Sequence, residues 1–100
     1  MKVFVPEPKV RKYLLKDRRK SGFFLRFGYS LEDWTRLKED IQAIGEGRRP
    51  KFIEETSYGE RFEIQAEITA PNGRLIKITT GWMVLHEDRE TIRFVTAYPT

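Results

Sequence analysis

One hundred residues suffice for one domain whose core needs no staples, and a chain without cysteine excludes disulfides, zinc–cysteine sites and thiol catalysis. No run reaches the ~18–20 apolar residues of a membrane span, and MKVFVPEPKV lacks the apolar stretch of a signal peptide, so a cytoplasmic protein off the membrane is expected. The net charge of +4 is uneven: residues 1–50 carry 13 Lys/Arg against 7 Asp/Glu, and residues 51–100 carry 6 against 8.

The elements divide into a helical half (6–46) and a stranded half (51–99) of one domain, 1–100. Pro6 and Pro8 precede Val10, Tyr13 and Leu14 at helical spacing. A second short helix carries Phe23, Phe24 and Phe27 and stops at Gly28. A third opens at Ser30-Leu31-Glu32-Asp33, a capping-box pattern with Asp for Glu. It continues through Trp34, Leu37, Ile41 and Ile44 and ends at Gly45 and Gly47.

After GRRPKF, residues 51–57 predict a short strand. RFEIQAEIT then alternates strictly, with Phe62, Ile64, Ala66 and Ile68 inward and Glu63, Gln65 and Glu67 outward. APNGR predicts a hairpin with a three-residue loop, Pro71-Asn72-Gly73, which pairs Ala70 with Arg74 and Ile68 with Ile76. A straight register around Glu87-Asp88-Arg89 pairs His86 with Glu90. It aligns Trp82 with Phe94, Thr80 with Thr96 and Ile78 with Tyr98, all on the inner face. The expected fold is therefore α+β, N-terminal helices packed on an antiparallel meander of three or four strands.

Two constellations break the pattern of an ordinary core. KVRKYLLKDRRK holds Lys9, Arg11, Lys12, Lys16, Arg18, Arg19 and Lys20 against one Asp17. Such a patch attracts polyanions by releasing their counterions, though a solvated helix face has the same composition. Thr80, Thr96 and Tyr98 bring hydroxyls to an apolar face, where Thr–Thr pairs also serve plain sheet pairing. Tyrosine works as an acid or base at neutral pH only where a cation lowers its pKa. Tyr58, in a loop, could stack on a base or lean on the sheet. His86 is the sole histidine, so no Ser-His-Asp triad, two-histidine pair or HExxH zinc motif is possible, and neither phosphate-loop motif is present. No metal and no cofactor is expected.

ITAPNGRLIKITTGWMVLHEDRETIRFVTAYP resembles the C-terminal half of a bacterial family of uncharacterised small domains, with the pattern PNGR, TxW and VTAYP. The YLL helix, Lys20 with Phe23-Phe24, Gly28-Tyr29-Ser30 and ETSYGERF extend the likeness through the first half. The segment KDRRKSG departs from relatives in which it is longer and contains His-Pro. The closing Thr-x-Tyr strand is more faintly similar to the barnase–EndoU–colicin–RelE group of RNases and toxins. That resemblance implies an RNA site with Thr96 and Tyr98 in catalytic roles. Lys20, the basic residue that fits the small-domain pattern, joins them, Thr80 and Trp82 of the same pattern lie on substrate, and the basic run adds Arg18 and Arg19 and the loop adds Tyr58 there. EndoU-like catalysis wants histidines that this chain lacks, whereas a RelE-like site works with Arg, Lys and Tyr. Two functions stay open: a metal-independent RNA-binding or RNA-cleaving domain, and a non-catalytic module for a cognate protein in a toxin–antitoxin or mobile-element setting.

Overall fold

The computed structural model describes the backbone of every residue but Asp17 and the side chains of all but residues 17–21. The chain runs through β1 (Lys2–Phe4), a π-helical turn (Lys9–Leu14), α1 (Arg18–Arg26), α2 (Trp34–Gly47), β2 (Lys51–Glu55), β3 (Gly59–Thr69), β4 (Leu75–Leu85) and β5 (Asp88–Pro99). All five strands form one sheet in the order β1-β5-β4-β3-β2.

The α+β expectation is corrected here: the fold is mostly sheet, 44% strand and 28% helix, and the sheet is mixed. β2 to β5 make the antiparallel meander, but β1 runs parallel to β5 and pairs Val3 with Ile92. Three residues are too few to show a strand period, and their hydrogen-bond partners lie at the far end of the chain. The first predicted helix is reduced to the π-helical turn that buries Val10 and Leu14.

α1 ends at Arg26, and the turn after it closes at Gly28, whose φ of 98° only glycine adopts without strain. The capping motif forms in part: Ser30 Oγ accepts the Asp33 N–H at 3.1 Å, but the helix begins a turn later, at Trp34. α2 buries Leu37, Ile41 and Ile44. It lies close on the sheet at Gly45, where a Cβ would stand 2.7 Å from both Trp82 and Val3. The inner face of the sheet supplies Ile64, Ala66, Ile76, Ile78, Trp82 and Phe94 to the same core.

The β3–β4 hairpin follows the expected register. Ala70 N–H donates to Arg74 O at 2.8 Å, Ile68 pairs with Ile76, and Gly73 takes φ 87° in the loop. The β4–β5 hairpin does not. Its turn is tighter, pairing Leu85 with Asp88, and the register shifts twice before the strand ends.

Candidate functional site

The second shift decides where the hydroxyls go. Trp82 pairs with Phe94 as expected, but Gly81 then pairs with Thr96, so Val95 is an extra residue in β5. A β-bulge of this kind turns every later side chain to the other face. Ala97 therefore fills the inner position beside Thr80 and is fully buried. Thr96 and Tyr98 lie on the outer face, opposite Gly81 and Thr79. The expected rows Thr80–Thr96 and Ile78–Tyr98 do not exist.

Thr80 and Trp82 stay in the core. Trp82 Nε1 donates to Thr80 Oγ1 at 2.7 Å, and the threonine hydroxyl donates to Ile64 O at 2.9 Å. Both residues are sealed from solvent. Their arrangement satisfies an indole N–H that burial cuts off from water.

The outer face is polar. One row crosses the sheet as Lys51, Glu63, Gly81 and Thr96, and Tyr13 extends it, its hydroxyl 3.3 Å from Thr96 Oγ1. The row above is Arg61, Met83 and Arg93; the row below is Gln65, Thr79 and Tyr98. The Tyr98 phenol reaches over β4 and donates to Glu63 Oε2 at 3.4 Å. Gly81 keeps the middle of this face low: the neighbour a Cβ there would crowd is the Thr96 methyl, at 3.1 Å. Beside Glu63 lies a cleft of about 250 Å³ lined by Arg49, Lys51, Glu63 and Gln65.

Charge alternates around this patch. Arg61 holds Glu54 at 2.6 Å, and Arg93 holds Asp88 at 3.1 Å while its guanidinium stacks on Phe4. Burial, and then the Glu63 carboxylate, raise the Tyr98 pKa. The phenol is thus held neutral as a donor, the opposite of the lowered pKa that a free-standing tyrosine base would need.

Tyr58 is exposed at the β2–β3 turn, away from this patch, with its carbonyl accepting the His86 N–H. The side chains of Arg18, Arg19 and Lys20 lie outside the described residues; their backbone opens α1. Of the basic run, Arg11, Lys12 and Lys16 are exposed. Glu63, Arg61 and Tyr13 were not singled out from sequence. The outward alternation of RFEIQAEIT marks the first two as surface residues, and only the fold brings Tyr13 to β5. Among the described residues no group of His, Cys, Asp and Glu is placed to hold a metal ion, and no helix is long and apolar enough to cross a membrane.

No curated protein matches the chain. Among solved structures, one chain of the contact-dependent growth inhibition toxin–immunity protein complex from Klebsiella pneumoniae 342 is similar, with a TM-score of 0.73 over 96% of this chain and 98% of that one. The two are 18% identical, so the likeness is one of fold. The family model for DUF6883, a domain of unknown function, matches residues 1–100, and the chain belongs to that family.

Proposed function

We propose that this is a toxin-like domain that binds RNA and cleaves it without a metal ion, using the outer face of the sheet around Thr96 and Tyr98. The observation that carries this reading is the Tyr13–Thr96 hydroxyl contact. It ties the chain three residues before Lys16, within the basic run, to the strand that ends in Thr-x-Tyr. On this reading the cations of the basic run hold phosphate and the hydroxyls of β5 position the substrate. Lys20, Arg18 and Arg19 are the further cations proposed to hold the backbone. The fold it shares with a chain of a toxin–immunity complex agrees with a toxin-related role.

The test is incubation of the purified protein with total RNA in EDTA, beside Tyr98→Phe. Cleavage by wild type and its loss in the variant are expected, together with salt-dependent retention on immobilised RNA. Absence of both cleavage and retention would overturn the proposal.

A second reading, a module for a cognate protein, is favoured by β2. This edge strand is exposed along its whole length and presents Phe52 and Ile53 to solvent. Unpaired edges are templates for strand addition. Complex formation with the product of an adjacent gene, abolished by Ile53→Lys and without RNA cleavage, would select it.

A further inference from the structure

We infer that Glu63 and Tyr98 form the acid–base pair of this site, with Glu63 as the general base and Arg61 and Lys51 as the cations nearest the scissile phosphate; the inference rests on the RNA reading above. Glu63 stands at the centre of the outer face. Its cross-strand neighbours are Lys51 on one side and glycine on the other, and Arg61 precedes it by two residues on the same face. Gly81 puts no side chain of its own between Glu63 and Thr96, and the Tyr98 hydroxyl reaches across β4 to the carboxylate. A carboxylate, a neutral phenol and two cations on one face are the parts that a transesterification needs.

The step balances on these residues alone. Glu63 takes the proton of a ribose 2′-hydroxyl. The 2′-oxygen bonds to phosphorus, and the P–O5′ bond breaks. The leaving 5′-oxygen takes the phenolic proton of Tyr98, and the proton on Glu63 returns to the Tyr98 oxygen through the hydrogen bond between them. The products are a 2′,3′-cyclic phosphate and a 5′-hydroxyl. Arg61 and Lys51 offset the charge that builds on the phosphorane. The substrate class is RNA with a free 2′-hydroxyl, because DNA offers no nucleophile.

The experiment uses the full chain, a single-stranded oligoribonucleotide, and the same oligomer with 2′-O-methyl sugars, all in EDTA. Expected are cyclic-phosphate ends from the first, no cut in the second, and a rate lowered by about 10²–10⁴-fold in Glu63→Gln. Glu63→Gln should remain bound to immobilised RNA, and Glu63→Ala should regain cleavage on addition of formate. Wild-type cleavage with Glu63→Gln equally active would overturn the role of Glu63 and leave the RNA reading standing. RNA retention without cleavage by wild type would likewise overturn the pair. Absence of both would overturn the reading itself.

Discussion

Trp82 and Thr80 sit two residues apart on β4 and share one buried hydrogen bond of 2.7 Å, which the threonine passes on to the Ile64 carbonyl. The threonine is thus the polar insert that lets a tryptophan occupy the middle of an apolar face. Thr80→Val, nearly isosteric, should leave the indole N–H unpaired and cost about 1–3 kcal/mol. Thermal unfolding should fall by several degrees, with RNA retention unchanged.

The bulge at Val95 sets which face Tyr98 uses. Deleting Val95 should remove the bulge and keep the faces, because Thr96 then follows Phe94 directly and still pairs with Gly81, Ala97 with Thr80 and Tyr98 with Thr79. The cost should stay within about 0.5–3 kcal/mol. Denaturant titration should still show one cooperative transition, with Tyr98 exposed as before. Loss of the cooperative native state would contradict the bulge.

Gly45 and Gly47 lie on the same helix but differ in what faces them. A Cβ at Gly45 meets Trp82 and Val3 at 2.7 Å, whereas one at Gly47 meets nothing within 4 Å. Gly45→Ala should lose about 1–3 kcal/mol to overpacking. Gly47→Ala should be neutral or gain up to about 1 kcal/mol from helix propensity. Paired urea melts separate the two.

Tyr29 gives the fold an alkaline limit. Its hydroxyl donates to Asp40 Oδ2 at 2.6 Å, and Asp40 also holds Arg36 at 3.2 Å. Burial first, then the Asp40 bond, push the phenol pKa far above its ordinary range. A folded pKa above the unfolded value of about 10 means that the stabilisation is complete below that pH and fades as pH rises beyond it. Wild-type melting temperature should fall above about pH 10. Tyr29→Phe should be less stable by about 1–3 kcal/mol at pH 7 and lack that component of the alkaline decline.

Much of the sheet was legible in the residues. Strict alternation from Phe62 to Ile68 and the Pro71-Asn72-Gly73 loop specify the β3–β4 register, because a slip would expose the apolar face. The Leu37, Ile41 and Ile44 stripe likewise announces α2 and the face it buries. The predicted start at Ser30 erred because its capping bond forms in the preceding turn rather than on the helix.

What alternation could not reveal was the bulge. Thr96-Ala97-Tyr98 alternates in either frame, and a one-residue insertion becomes visible only when Ala97, small enough to sit beside Thr80, is seen to fill the inner slot. β1 was hidden for a related reason, since three residues have no period of their own and gain their partners only from β5.

The amino-acid pattern alone thus determined the meander from β3 to β4, the buried face of α2 and the concentration of positive charge in the first half, since each follows from local spacing and composition. The tertiary structure decided the parallel edge strand, the private bond between Thr80 and Trp82, and the gathering of Tyr13, Glu63, Thr96 and Tyr98 on one polar face. Those depend on pairings between segments distant in sequence, and a single extra residue in one strand was enough to choose between the inside of the protein and its surface.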